Sequence, residues 1–290
     1  MATGLHRLGI LAPASPFPAE RFEAGLNVLR QLGFQPVIHY QAYAKTGYLA
    51  GSDADRLNAL YDLLADPSID AVMAARGGYG IHRLLEHLDR RRLQGALKPV
   101  IGFSDVTALH AVWAQLGQAS LHGPVVTQLA DLPAADQEVF AQALAGAPGL
   151  RYLGQTTVHP GRAAGPLFGG CLSVLVPLLG TPYFPSLAGK ILLLEDVGEV
   201  PYRIDRMLTH LRLSGALSQV AGIAVGEWVK CDPPRATEPT AVEVLAERTA
   251  DLGVPVLYGL PFGHGQTNRA VWLGAKVELD ADARTLTVLP

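Results

Sequence analysis

One serine in this chain has the surroundings of a nucleophile. The apolar segment 98–103 is predicted to be a buried strand, Gly102 lies two positions before Ser104, and a helix is predicted to follow. Such a strand-to-helix turn lifts a serine hydroxyl clear of a sheet and directs the following backbone N–H groups toward the atom that it attacks. Val106 occupies the place of the second glycine in the full G-x-S-x-G pattern. A serine that only caps the helix has the same spacing, so both interpretations stay open.

A serine nucleophile needs a base, and the base needs a third group that fixes its tautomer and stabilises its cation. His264 lies between two glycines in a loop, where the backbone can approach closely. His122, at a predicted strand end, is the rival base, although an imidazole there also suits buried backbone groups. Glu195 ends a very apolar strand and is the candidate third group, with Asp196 and Glu199 close by in the sequence.

A glycine-rich loop, residues 76–80, follows the third predicted strand. It lacks the Gly-Lys-Ser/Thr ending of a P-loop and the full G-x-G-x-x-G spacing, so nucleotide binding is disfavoured. Gly77 or Gly78 can instead turn a backbone N–H inward and form an oxyanion hole together with the N–H of Asp105. A plain flexible turn is the other interpretation.

Composition bounds the function class. The chain has 290 residues, 49% of them hydrophobic, and a net charge of −3, which favours two packed domains and disfavours nucleic acid as a partner. Its cysteines, Cys171 and Cys231, lack metal-ligand spacing, and no metal or other cofactor is predicted. The N-terminus lacks a signal-peptide pattern and no apolar run approaches about 18 residues, so we expect a cytoplasmic protein without a membrane partner.

Strand-like and helix-like segments alternate through the first half of the chain. The strands are predicted at residues 8–12, 35–39, 69–75 and 99–103. The helices are predicted at residues 18–32, 53–65, 105–116 and 133–145. This alternation predicts a parallel sheet with its functional residues at the carboxyl ends of the strands.

The second half of the chain is richer in short strands. Helices are predicted from residue 172 and at 203–213 and 239–252, and strands at 190–195, 220–225, 254–257, 270–273, 276–279 and 285–289. The closing run of short strands predicts a small sheet or barrel-like domain. We therefore predict an α/β domain over residues 1–144, a Gly/Pro/Thr-rich linker over 145–166 and a β-rich domain over 167–290.

Taken together, these segments resemble the LD-carboxypeptidase family of serine peptidases, which includes murein tetrapeptide carboxypeptidases and microcin-immunity peptidases. The resemblance rests on motifs in one order along nearly the entire chain, at residues 76–80, 102–107, 121–124, 194–206 and 262–268. It implies a flavodoxin-like N-terminal domain with a parallel sheet and a smaller β-rich C-terminal domain. It also implies a catalytic triad of Ser104, Glu195 and His264.

The resemblance implies a substrate as well: murein peptides, cut between the L-centre of diaminopimelate and a terminal D-Ala during peptidoglycan recycling, by a homodimeric enzyme without a metal. Candidate substrate contacts within or beside the motifs are Arg76, Tyr79, His122, Arg203 and Asp205. One departure is visible, because Gly169-Gly170-Cys171 stands where relatives usually carry Gly-Gly-Asn. Any polar contact of that Asn side chain is lost here.

Two alternatives remain. A microcin-immunity type enzyme would use the same triad on an aminoacyl-nucleotide analogue and would need an aromatic platform for the adenine, for which Trp228 is one candidate. A non-catalytic α/β module would keep the fold and bind a peptide. An intact triad argues against the second alternative, since a pure binder gains nothing from aligned Ser, His and Glu side chains.

Overall fold

The computed structural model describes residues 4–94 and 98–290, which form two compact units. The first unit extends to Ala147 and includes Arg269–Val271 from late in the sequence. The second unit comprises Pro148–Asn268 and Trp272–Pro290. The first three residues of the predicted N-terminal domain lie outside the described residues.

The first unit alternates strands and helices as the apolar periodicity predicts. Its strands are β1 (Arg7–Leu11), β2 (Gln35–Ile38), β3 (Ala71–Ala74), β4 (Val100–Gly102) and β5 (Ser120–His122). Its helices are α1 (Ala19–Gln31), α2 (Asp53–Ala65), α3 (His82–Leu85), α4 (Arg90–Gln94), α5 (Thr107–Gln115), α6 (Val126–Leu129) and α7 (Ala134–Leu144). Single 3-10 turns cover Tyr40–Tyr43 and Ser104–Val106.

These five strands pair in parallel in the order β2-β1-β3-β4-β5. This is the doubly wound, flavodoxin-like order, which confirms the predicted fold of the N-terminal half. Strands β3, β4 and β5 are buried along their whole length, so they appear in the sequence as continuous apolar runs rather than as an alternation. The loops that follow β1, β3 and β4 share the carboxyl edge of the sheet.

Helix α2 spans the residues predicted for it, and its first turn anchors one of those loops. Ser52 and Asp55 form a capping box, with the Asp55 N–H donating to Ser52 Oγ and the Ser52 N–H donating to Asp55 Oδ2, both at 3.1 Å. Arg56, one turn into the helix, is fully buried. Its Nη1 donates to the carbonyl of Pro13, after β1, at 2.6 Å, and its Nη2 donates to Asp53.

The second unit is built on a longer sheet. The strands of this sheet are β6 (Arg151–Leu153), β7 (Thr156–His159), β8 (Arg162–Cys171), β9 (Ile191–Val197), β10 (Gly222–Val229), β11 (Val256–Tyr258), β13 (Lys276–Asp280) and β14 (Thr285–Val288). A further short strand, β12 (Val271–Leu273), begins in the first unit and is not part of this sheet. The helices of the second unit are α8 (Leu172–Leu175), α9 (Pro201–Leu213) and α10 (Ala241–Thr249). Further 3-10 turns cover Val176–Leu178 and Leu217–Gln219.

The strands of this sheet follow the order β6-β14-β13-β8-β9-β10-β11-β7. The four central strands, β8 to β11, are parallel, while β13, β14 and β6 on one side and β7 on the other are antiparallel to their neighbours. The centre of the sheet is buried, and β9 has only its last residue exposed. Both units are therefore α/β, the first around a parallel sheet and the second around a mixed one.

Two parts of the predicted organisation differ from the structure. Residues 145–166, predicted as a linker, instead contain β6, β7 and the start of β8. Because β6 and β7 are the outermost strands, most of their residues are at least partly exposed, and they lack the apolar runs that reveal central strands. Among the short strands predicted to close the chain, β11, β13 and β14 belong to the second sheet, whereas β12 begins in the first unit.

The returning segment, Arg269–Val271, is held within the first unit by charge and by close packing. Arg269 Nε donates to Oδ1 of the buried Asp136 at 2.9 Å. The methyl group of Ala270 lies against Gly123, where an added Cβ would approach it to 3.0 Å. None of the helices in the described part of the chain has the length and apolar character that spanning a membrane requires.

A buried histidine joins α5 to the two strands beside it. His110 Nε2 lies 2.9 Å from the carbonyl of Gly102 and Nδ1 lies 2.9 Å from Ser120 Oγ. Since a carbonyl only accepts, Nε2 carries the proton and Nδ1 accepts from the serine hydroxyl. Burial, reinforced by His122, lowers the pKa of His110 to about 3. The folded state thus requires a neutral imidazole.

We expect replacement of His110 by glutamine to flatten the dependence of stability on pH. The unfolded chain binds a proton near the ordinary pKa of 6.5 while the folded chain does not, so acid favours unfolding of the wild type. Relative to the variant, the wild type should lose about 2 kcal/mol of unfolding free energy between pH 7.5 and pH 5. Urea denaturation at several pH values measures this, with the exposed His87→Gln as control. Parallel curves for wild type and His110→Gln would contradict the prediction.

Candidate active site

Ser104 lies in a strained strand-to-helix turn. Its φ is 60°, a left-handed conformation that costs a non-glycine residue about 1–2 kcal/mol. Gly102, at the end of β4, has a φ of 153°, and an added Cβ would approach Val106 Cγ2 to 2.9 Å. The chain then makes the 3-10 turn Ser104–Val106 before α5 begins. This is the geometry of a nucleophile elbow.

The helix-capping interpretation of Ser104 does not fit this turn. Helix α5 begins at Thr107, and its N-cap is Val106, which makes no side-chain capping bond. Ser104 lies beside Gly77 instead, where an added Cβ would approach Ser104 Cβ to 2.9 Å and Oγ to 3.1 Å. Glycine at position 77 therefore lets the loop backbone lie directly against the serine.

The loop at residues 76–80 is anchored rather than freely flexible. Arg76 Nη1 donates to the carbonyl of Pro16 at 2.6 Å, and the N–H of Tyr79 donates to Ser15 Oγ at 3.2 Å. Gly78 has a φ of 112°, and an added Cβ would collide with the side chain of Ser15. The loop after β3 is therefore fixed to the loop after β1, beside Ser104.

The side chain of Asp105 has a contact that sequence reasoning missed. Its backbone N–H was the expected functional group, but its carboxylate is 1% exposed and its Oδ2 accepts the N–H of Ile81 at 2.9 Å. Burial raises the pKa of this carboxyl to about 6, against the opposing effects of the Ile81 N–H and the charge of Arg56. No sequence pattern distinguishes such an internal carboxylate from an exposed one.

In the second unit, Glu195 and His264 form a hydrogen-bonded pair. Glu195 lies near the end of β9 and is fully buried, and its Oε2 is 2.7 Å from Nδ1 of His264. The carboxylate fixes the proton on Nδ1, which leaves Nε2 as the basic nitrogen. Burial alone lowers the pKa of His264, but the charge and hydrogen bond of Glu195, with the charge of Asp196, outweigh it and raise the pKa above its ordinary value.

Two glycines flank His264 and let residues 262–268, here called the histidine loop, approach the carboxylates of Glu195 and Glu227 closely. Gly263 has a φ of 106°, and an added Cβ would collide with Glu195 Oε2. The N–H of Gly263 donates to Oδ1 of the buried Asn268 at 2.9 Å, which fixes the start of the loop. A Cβ at Gly265 would collide with the carboxylate of Glu227. Asn268 belongs to the matching segment 262–268, but its contact could not be read from the sequence.

Of the three neighbouring carboxylates, Glu195 is the one bonded to His264. Asp196 accepts from the N–H of Ser173 at 2.7 Å and from Ser173 Oγ at 3.0 Å. Glu199 lies 3.6 Å from Arg203 in an ion pair at the start of α9. Within the second unit, this arrangement favours Glu195 as the partner of His264.

Cys171, at the position where the family resemblance implies an Asn, lies beside the same carboxylates. Its Sγ is 3.5 Å from Asp196 Oδ1 and 3.4 Å from Ser173 Oγ. Burial, followed by the charges of Glu195 and Asp196, raises the pKa of the thiol well above its ordinary value. The side chain therefore stays a neutral thiol, and its S–H is a weak donor to Asp196.

The candidate substrate contacts lie in different environments. Arg76 and Tyr79 are exposed on the loop that lies against Ser104. His122 is fully buried, with its ring centroid 6.2 Å from that of Phe103, so its environment is that of a core side chain and gives a substrate contact no support. Its position likewise does not support the role of rival base.

Of the remaining candidates, Arg203 and Asp205 make contacts on the surface of α9, and Trp228 lies in the core. Arg203 pairs with Glu199, and Asp205 Oδ1 accepts from Thr209 Oγ1 at 3.1 Å and lies 3.4 Å from Arg248. These contacts are those of a charged helix face and give a substrate contact no support. Trp228, the candidate platform for adenine, is 8% exposed and packs against Tyr258, so it is a core residue.

Among the described residues, no cluster of His, Cys, Asp and Glu could hold a metal ion.

Comparison with known proteins identifies a family for both halves of the chain. A model of the LD-carboxypeptidase N-terminal domain matches residues 8–123, and a model of the LD-carboxypeptidase C-terminal domain matches residues 164–279. The chain is 35% identical over 288 residues to the murein tetrapeptide carboxypeptidase of Pseudomonas aeruginosa, covering 95% of this chain and 94% of that protein.

Solved structures share the fold. The muramoyltetrapeptide carboxypeptidase from Oxalobacter formigenes matches with a TM-score of 0.88 and 27% identity over 98% of this chain and 99% of that one. The microcin C7 self-immunity protein MccF in its wild-type apo state matches with a TM-score of 0.88 over 100% of this chain and 97% of that one. At 22% identity, this second similarity concerns the fold alone.

Replacing Glu195 by glutamine should lower the pKa of His264, because the anion that favours the imidazolium is removed while an acceptor for Nδ1–H remains. Titration of the imidazole signals by NMR measures this. Asp196→Asn should give a smaller decrease, since Asp196 acts through its charge alone. Glu199→Gln, whose carboxylate faces Arg203, is the matched control. A lower His264 pKa in Glu199→Gln, together with an unchanged His264 pKa in Glu195→Gln, would refute the pairing of Glu195 with His264.

Proposed function

The chain belongs to the LD-carboxypeptidase family and is a serine carboxypeptidase, and on this premise we propose that it removes terminal D-alanine from murein tetrapeptides in peptidoglycan recycling. The bond cut is the amide that joins the L-centre of diaminopimelate to D-alanine. The observation that carries the proposal is the buried Glu195–His264 pair, in which the carboxylate holds the Nδ1 proton and so makes Nε2 the basic nitrogen of the imidazole. The Pseudomonas aeruginosa relative supports the choice of substrate.

In the proposed mechanism, Ser104 attacks the carbonyl carbon of the scissile amide. His264 Nε2 accepts the hydroxyl proton and then donates it to the leaving amine of D-alanine, while Glu195 stabilises the imidazolium. Water, deprotonated by the same nitrogen, hydrolyses the acyl-enzyme. The mechanism requires Ser104 Oγ to come within hydrogen-bond reach of His264 in the working enzyme.

Backbone donors would stabilise the tetrahedral intermediate. We assign these donors to the N–H of Asp105 and the N–H of Gly77 or Gly78. The strained turn at Ser104 and the direct packing of Gly77 against it support this assignment, because both hold backbone close to the reacting atoms. The positions are fixed before substrate binds, which is what oxyanion stabilisation demands.

Substrate binding would use exposed groups beside the nucleophile. Arg76 is exposed and held at one end by the Pro16 carbonyl, which leaves further guanidinium donors for a carboxylate of the peptide. Tyr79 would contact the peptide on the same loop. We also propose a cytoplasmic location, as expected from the sequence, and a homodimer, which rests on the family resemblance.

Replacement of Ser104 by alanine should abolish nearly all turnover without unfolding the protein. Removing the nucleophile of a triad costs about 10⁴-fold or more in kcat. Release of D-alanine from murein tetrapeptide, with circular dichroism for folding, measures both quantities. The exposed Ser218→Ala serves as the matched control. Turnover by Ser104→Ala within about tenfold of wild type would rule out the assignment.

The enzyme should discriminate between D- and L-alanine at the cleaved end. Chiral selection needs a contact to the terminal carboxylate and a wall against the misplaced methyl group, which costs about 1–3 kcal/mol. The ratio of kcat/KM for matched peptides should therefore be about tenfold or more in favour of D-alanine. Equal cleavage would contradict the proposal. Strong preference for an aminoacyl-sulfamoyl adenylate would instead favour microcin-immunity chemistry.

A further inference from the structure

We propose that the carboxylate of Asp105 is a positioning residue that holds the glycine loop at the distance from Ser104 at which its backbone N–H can stabilise the reacting oxygen. The inference rests on the proposed function in one respect, namely that Ser104 is the nucleophile. Asp105 is already assigned an oxyanion role through its backbone. The new element is the side chain, which acts on the loop and touches no substrate.

The geometry joins the two segments through one internal contact. Asp105 directly follows Ser104 in the 3-10 turn, and its side chain points into the first unit, where Oδ2 accepts the Ile81 N–H at 2.9 Å. Ile81 directly follows the loop at residues 76–80, and its own side chain is fully buried. Asp105, which directly follows Ser104, thus fixes the C-terminal end of the loop. Gly77, near the start of the same loop, lies against Ser104.

The rest of the loop is held by other contacts. Arg76 donates to the carbonyl of Pro16 and the Tyr79 N–H donates to Ser15 Oγ, as described above. Near its end, Gly80 lies on the buried guanidinium of Arg56, where an added Cβ would approach Nη1 to 2.6 Å. These contacts join the loop to the segment after β1 and to α2. The Asp105 bond differs because it joins the loop to the turn that carries Ser104.

The charge of Asp105 strengthens this contact. A hydrogen bond to an anionic acceptor is about twice as strong as one between neutral groups. Arg56, fully buried on α2, favours the anion, whereas burial opposes it and leaves the pKa at about 6. Above that pH the carboxylate is charged and holds the N–H of Ile81. A buried anion without such a donor would be costly, so the contact also resists displacement.

A loosened loop would affect the chemical step more than substrate binding. The oxyanion exists only during the reaction, so misplaced donors reduce kcat while the ground-state complex is retained. A side chain that served only folding would show the opposite pattern. Its removal would lower the melting temperature and leave kcat unchanged at temperatures where the variant is folded.

Two substitutions separate these roles. Asp105→Asn keeps an oxygen that can accept the Ile81 N–H, and Asp105→Ala removes it. We expect Asp105→Ala to lose about 10²–10³-fold in kcat, the typical cost of one oxyanion donor, with KM within about threefold of wild type. Asp105→Asn should keep kcat within about tenfold of wild type. The matched control is Asp131→Asn, an exposed carboxylate of the same unit paired with Arg21.

Amide exchange provides a readout that needs no substrate and covers the case in which Asp105→Ala fails to fold. The Ile81 amide, followed by NMR in deuterated buffer at pH 7.5, should exchange at least about threefold faster in Asp105→Asn than in wild type, because a neutral acceptor holds it less tightly. Equal exchange rates, or equal kcat values for folded Asp105→Ala and Asp105→Asn, would overturn the inference. A wild type that cleaves no murein tetrapeptide would overturn the proposed function instead, while the Ile81 amide would still test the anchor.

Discussion

The structure of the second unit depends on one buried carboxylate. Glu195 has no exposed surface, and a buried carboxylate without partners would cost several kcal/mol or become protonated. The imidazole of His264 satisfies one oxygen at 2.7 Å, which requires the histidine loop to lie directly on β9. Gly263 permits that approach because any side chain there would occupy the position of the carboxylate. Glycine at position 263 is thus a consequence of where Glu195 is buried.

The first unit also contains a buried carboxylate that accepts a hydrogen bond from a loop. Asp105 is buried beside a strained serine, and the backbone that satisfies it comes from a loop rich in glycine. In both units a strand or turn places a carboxylate in the interior, and a glycine-rich loop packs against it and forms a hydrogen bond to it. Order in these loops therefore derives from polar contacts at fixed points, since the loops carry few apolar side chains of their own.

Much of this architecture could be predicted from the sequence because it follows from apolar periodicity. Helix α2 and strands such as β9 carry strong local patterns, and the elbow at Ser104 is marked by Gly102 and a buried strand. The outer strands β6 and β7 escaped prediction because edge strands are half exposed and their pairing is decided by distant segments. Burial was equally invisible: neither the core position of Trp228 nor that of His122 follows from residue type.

The path of the chain has a consequence for how such a protein could be divided. Directly after the histidine loop, residues Arg269–Val271 belong to the first unit, and from Trp272 onward the chain belongs to the second unit again. Asp136, buried in the first unit, receives the guanidinium of Arg269 from this short excursion. A gene fragment that stopped at Ala147 would encode a first unit without the Arg269 guanidinium that pairs with Asp136. The two halves are consequently not interchangeable modules, and recombination between relatives would have to exchange the excursion together with the N-terminal half.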